Sequence, residues 1–114
     1  MSDRLAKLAA LADMIKEAEL SKLSAAESAR RRITQQSAAV RTAISDANRR
    51  AEPNAAHASG TAAHWHIWAE RHVKALTQQE AMAAAEAEVQ KRAARRAFGR
   101  AAALGRLALR GGKV

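Results

Sequence analysis

The sequence predicts an all-α protein, a long antiparallel two-helix coiled-coil hairpin with a turn near residues 51–60. Three observations predict it. Chain breakers are sparse: Pro53 is the only proline, and no glycine precedes Gly60. The apolar content of 48% is inflated by alanine, and the larger apolar side chains are spread thinly along the chain. Such a composition, rich in Ala, Glu, Lys, Leu and Arg, suits long helices sharing a narrow seam better than a globule with one packed centre. Finally, apolar residues recur at heptad spacing through both halves.

The first helix is expected over residues 3–50, with Ser2 as its N-cap and Asp3 at the positive end of its dipole. A register from Leu5 puts Leu5, Leu8, Ala12, Ile15, Glu19, Lys22, Ala26, Ala29, Ile33, Gln36, Val40, Ala43 and Ala47 on the seam. Glu19, Lys22 and Gln36 interrupt it, and such polar seam residues fix register at a cost in stability. Leu11, Leu23 and Ile44 widen the stripe from flanking positions. The turn is expected in the stretch from Ala47 to His64, where Pro53, Asn54, Ser59 and Gly60 gather. Ser59 or Thr61 can cap the second helix, expected over residues 61–99 and followed by a frayed basic tail, 100–114. Gly99, Gly105, Gly111 and Gly112 are the reason to expect fraying. Its register from Trp65 runs Trp65, Trp68, His72, Ala75, Gln79, Met82, Glu86, Val89, Ala93 and Arg96. Leu76 lies one residue past a seam position, so a local slip is expected there. Neither helix would hold alone with so thin a stripe; paired, each covers the other. The whole chain, 1–114, reads as a single hairpin.

Several function classes are disfavoured. Without cysteine there is no disulfide or thiolate chemistry. The opening MSDRLAKLAALADMIKEAE is broken by Lys7, Asp13 and Lys16 and does not read as a signal peptide. No stretch approaches the roughly 20 apolar residues of a membrane span. The default location is therefore cytoplasmic. There is no phosphate loop and no nucleophile elbow, and carboxylates and serines are scattered over helices that form no concave pocket. We therefore expect no enzyme, no catalytic residue and no cofactor.

The stretch HWHIWAERH, residues 64–72, holds three of the four histidines and both tryptophans. A metal site is not expected. His64 and His66 are two residues apart and point to different sides of a helix, and His64 and His72 are two turns apart. Trp65, Trp68 and His72 share one face. Across the seam lie Val40, Ala43, Ile44 and Ala47. The favoured reading makes Trp65 and Trp68, with Val40 and Ile44, the anchor of the turn end. The alternative is an exposed recognition patch, since tryptophan is common at binding hot spots.

The net charge of +9 is unevenly placed. Residues 1–88 carry twelve Lys or Arg against eleven Asp or Glu, whereas residues 89–114 carry eight Lys or Arg and no acid. Lys91, Arg92, Arg95, Arg96 and Arg100 form a basic ridge, continued by Arg106 and Arg110; Arg30, Arg31 and Arg32 form a second group. The plain reading is a solvated face, helped by the dipole at a helix C-terminus. Sharper readings are an acidic protein partner, nucleic acid held through its phosphates, or peripheral contact with an anionic membrane.

The opening RLAKLAALADMIKEAE, the uninterrupted first helix, the mid-chain turn and the C-terminal EVQKRAARRAFGRAAAL together resemble the FliJ-type flagellar export proteins, kin to the stalk proteins of type III secretion. The resemblance implies a non-enzymatic coiled-coil adaptor, an ATPase stalk and export chaperone. It also implies two partners, a hexameric export ATPase and the export gate, and a place in the cytoplasm or peripheral at the inner membrane. Residues 3–20 beside 90–110 would then enter the ATPase ring, with Arg92, Arg95, Arg96 and Arg100 facing it. The alternative is a small nucleic-acid-binding protein that uses the Arg-rich C-terminal helix.

Overall fold

The fold is an all-α antiparallel hairpin of two long helices, α1 (Ser2–Arg50) and α2 (Thr61–Gly111). The computed structural model of the chain describes residues 2–50 and 60–111. The expected turn over residues 51–60, with Pro53 and Asn54, lies outside the described residues except for Gly60. So do the capping roles expected of Ser2, Ser59 and Thr61. Gly60 takes φ +92°, a left-handed conformation that glycine adopts without steric cost, and its carbonyl accepts from the His64 amide at 3.1 Å. Asp3 stands in the first turn of α1, and Arg49 and Arg50 in its last, where each charge suits the helix dipole.

The chain forms two units: residues 1–28 with 85–114, and residues 29–84. In the first, Leu5 meets Gly111, where an added Cβ would lie 3.3 Å from Leu5 Cδ1. Lys16 Nζ lies 5.4 Å from the centre of the Phe98 ring. The inward residues of α2 in this unit are mostly alanines. Ala87, Ala94 and Ala101 are buried and recur every seven residues, with half-buried Ala108 next in line. Ala97 joins them from the neighbouring seam line. Side chains this small let two helix backbones approach closely. The second unit is anchored differently. Its buried residues are Ala69, Leu76 and Ser37, and polar side chains cross between its helices.

One half of the α1 register stands as expected: Leu5, Ala12, Glu19, Ala26, Ile33, Val40 and Ala47 are all buried or half-buried. In the other half Ala29 is half-buried as expected, and the rest is displaced by one residue. Leu8, Ile15, Lys22, Gln36 and Ala43 are exposed, and Ala9, Lys16, Leu23, Ser37 and Ile44 turn inward in their place. At Leu8 and Ile15 the reason is steric: where α2 presents alanines, close approach favours small Ala9 and the thin Lys16 stem over a branched side chain. Leu23 in place of Lys22 and Ile44 in place of Ala43 instead bring apolar surface inward. The seam of α2 also differs from the expected one. Trp65 and His72 turn inward, but Ala69 and Leu76 replace Trp68 and Ala75. Beyond Leu76 the shift persists, with Glu80, Ala83, Ala87, Gln90, Ala94 and Ala97 inward; Gln79, Met82, Glu86, Val89 and Arg96 are exposed, and of the expected positions here only Ala93 is half-buried. The slip expected at Leu76 is therefore a lasting offset, set where a four-residue step follows another four-residue step.

Helix α2 does not stop near Gly99, and residues 100–111 of the expected frayed tail are helical. It continues through Gly99 and Gly105 to Gly111, with alanine and leucine between the glycines sustaining the helix.

Candidate protein-partner interface

Lys91, Arg92, Arg95, Arg96 and Arg100 are all exposed on α2. Among the described residues, none of the five takes part in an ion pair, since the pairs lie elsewhere. Spacings of three, four and five residues spread these cations over the outer face of the helix, with Arg106 and Arg110 further along. Side chains held apart from any acid leave a concentrated positive field available to an outside anion.

At the other end of α2, Trp65 is half-buried and its indole Nε1 donates to Asn48 Oδ1 at 3.1 Å. Val40 and Ile44 are half-buried on α1, while Ala43 is exposed. Trp68 is not a seam residue: it is 51% exposed. It stacks between Trp65 (ring centres 5.2 Å apart, planes 23° apart) and His72 (5.0 Å, 16°). The three rings form a ladder along the flank of the helix, with His64, Ile67, Arg71, His72 and Ala75 around Trp68 in a shallow hollow. Trp65 and Trp68 thus divide the two expected roles, one turned inward and one presented outward. His64 and His66 are exposed. Among the described residues, no three His, Cys, Asp or Glu side chains gather where they could hold one metal ion.

A polar cluster that the sequence reading missed crosses the seam in the second unit. Ser37 is 1% exposed, and its hydroxyl donates to Glu80 Oε1. Arg41 Nη1 donates to Ser37 Oγ at 2.6 Å and to Glu80 Oε1 at 3.0 Å, and its Nη2 donates to Thr77 Oγ1 at 3.0 Å. Thr77 in turn donates to the Val73 carbonyl at 2.9 Å. The Ser37 hydroxyl, followed by the Arg41 guanidinium, holds the Glu80 carboxyl below its ordinary pKa, although desolvation opposes this. The cluster sits where the α2 register shifts after Leu76, and buried polar partners of this kind specify register. Its signal in the sequence is paired: Ser37 four residues before Arg41, and Thr77 three before Glu80, both where the apolar stripe lapses.

The ridge offers unpaired cations, the ladder offers aromatic faces, and the polar cluster is satisfied within the chain. Among the described residues, no helix is long and apolar enough to cross a membrane. No family model, no curated protein and no solved structure matches the chain.

Proposed function

We propose that the chain is a non-enzymatic helical-hairpin adaptor that works by binding other proteins, in the manner of a flagellar or type III protein-export subunit. The observation that carries this reading is the row of exposed cations, Lys91, Arg92, Arg95, Arg96 and Arg100, none of which has an acidic partner among the described residues. A basic row on one end of a helical hairpin suits docking onto an acidic protein surface, where electrostatic complementarity sets encounter rate and choice of partner. The likeness to FliJ-type proteins names the partners to look for, a hexameric export ATPase and the export gate. It gives the place of action as the cytoplasm, peripheral to the inner membrane.

The test is affinity capture at moderate salt after nuclease treatment, with partners identified by mass spectrometry. We expect a hexameric ATPase to be recovered by the parent chain and lost when Arg92, Arg95 and Arg96 are all changed to Glu. Recovery of the same ATPase by the reversed variant would remove the ridge from the interface. Recovery of nucleic acid alone, and of no protein after nuclease, would favour the second reading, a nucleic-acid-binding protein. The same cations support that reading, because unpaired arginines on one helix are equally suited to phosphates.

A further inference from the structure

The first unit leaves large apolar side chains outside its alanine seam. Leu8, Leu11 and Ile15 of α1 are 49%, 52% and 48% exposed, and Leu107 of α2 is 47% exposed. They are not scattered. Leu8, Leu11, Ala12 and Ile15 line one groove together with Ala97, Arg100 and Leu104. On α2 Leu107 continues the same side of the helix, because positions 100, 104 and 107 share a face. Burying alanines while leaving leucines at the rim is unusual for a seam that is complete in itself, and contiguous exposed apolar surface marks an interaction site.

The charge around the groove is of one sign. Arg100 lines it, and exposed Arg96 stands one turn earlier on the same face of α2. No acid lines the groove. The nearby acids Asp13 and Glu17 are turned to Lys16, at 3.7 and 3.8 Å, and Lys16 itself reaches Phe98 rather than the groove. We infer that this groove is the seat of an amphipathic helix from a partner protein, with an apolar stripe against Leu8, Leu11, Ile15 and Leu104 and with Asp or Glu beside it for Arg96 and Arg100. Arg and carboxylate pair through charge-assisted, often bidentate hydrogen bonds. The stretch from Arg96 to Leu107 spans about 16 Å of helix, room for a partner helix of about three turns.

A second copy of this chain fits less well. A two-fold contact would bring together two grooves whose charge is of the same sign, and like charges brought together cost affinity. An anionic membrane would suit the charge, but a groove between two helices presents a concave lining where a bilayer surface needs a convex one. The inference rests on the adaptor reading in taking a protein as the partner, and it adds the chemistry of that partner.

Two designed peptides test it, each about five helical turns long. They share one leucine stripe at i, i+3, i+4 and i+7; one carries Glu beside the stripe, the other Lys. Each is labelled and titrated with the full chain, and with Leu11→Gln/Ile15→Gln and Arg100→Glu variants, by fluorescence anisotropy. Both substitutions fall on exposed or groove-lining positions, and circular dichroism verifies that helix content is unchanged. We expect the Glu peptide to bind, the Lys peptide to bind at least about tenfold more weakly, and each variant to lose about tenfold. Equal binding of the two peptides, or none by either, overturns the inference. So does a dimer in sedimentation velocity that the double Gln variant dissolves. Binding to phosphatidylglycerol vesicles that is lost in the double Gln variant, with no binding of the Glu peptide, also overturns it and assigns the groove to lipid. If the Glu peptide binds as expected while affinity capture yields no ATPase, the groove stands and the export reading falls.

Discussion

Glu80 shows how one side chain can tie stability to pH. Its carboxylate accepts from Ser37 and from Arg41 across the seam of the second unit, and these donors lower its pKa. A carboxyl whose pKa is lower in the folded than in the unfolded chain binds fewer protons when folded. Its contribution is therefore complete above the unfolded value, about 4.3, and is lost as pH falls through the lower folded value. Changing Glu80 to Gln should lower the melting temperature near neutral pH. The gap between parent and variant should then narrow steadily as pH drops below about 4. Thermal melts followed by circular dichroism over that range check this, and a gap independent of pH would show that the carboxylate's charge is not what the cluster uses. Ser37 sharpens the case: at 1% exposure its hydroxyl has no access to water, so a partner lost from Glu80 would not be replaced by solvent.

At the scale of the helices, the alanine seam makes opposite predictions for neighbouring positions. Ala94 is 4% exposed, so Ala94→Leu should overpack the seam and cost about 1–3 kcal/mol, whereas Ala102→Leu on the exposed face should change stability by less than about 0.5 kcal/mol. Gly99 and Gly105 lie inside α2 with nothing within 4 Å of an added Cβ, so Gly→Ala at either should stabilise the chain by about 0.5–1 kcal/mol. Urea denaturation of the four variants checks all of these together. The same seam explains what the sequence made legible. Two helices follow from the long stretches without glycine or proline, but the end of α2 does not, since it runs through Gly99 and Gly105 to Gly111. The line through Leu5, Ala12, Ala26, Ile33 and Val40 follows from its heptad spacing. The second line was misplaced because hydrophobicity ranks Leu8 and Ile15 above Ala9 and Lys16, whereas a closely approached seam selects for size. The alanine repeat through Ala87, Ala94, Ala101 and Ala108 was nevertheless present to be read. Of the candidate site residues, the arginine ridge could be placed from charge alone. The division between Trp65 and Trp68 could not, because a one-residue shift in register decides which ring turns outward.

For the whole molecule, the decisive property is the +9 charge, most of it carried by the acid-free stretch from residue 89 to 114. Any chain so charged is attracted to the phosphates of DNA whatever its function, so detection of binding would discriminate nothing, whereas its salt dependence would. If most of the eight cations in that stretch met phosphates, counterion release would cost about 10³- to 10⁵-fold in affinity between 50 and 200 mM salt. An acidic helix seated against Leu8, Leu11 and Ile15 gains part of its affinity from apolar contact, which screening leaves untouched. We therefore expect binding of a 20-base-pair duplex to vanish by 200 mM salt, while the Glu peptide loses no more than about tenfold over the same range. Both titrations use one protein preparation and one salt series, so differences in folding cannot imitate the result. Duplex binding that survived 200 mM salt and discriminated between sequences would require contacts to bases as well as phosphates, and would make nucleic acid the physiological ligand. Parallel collapse of both titrations would mean that the leucines contribute nothing and that the ridge alone does the binding.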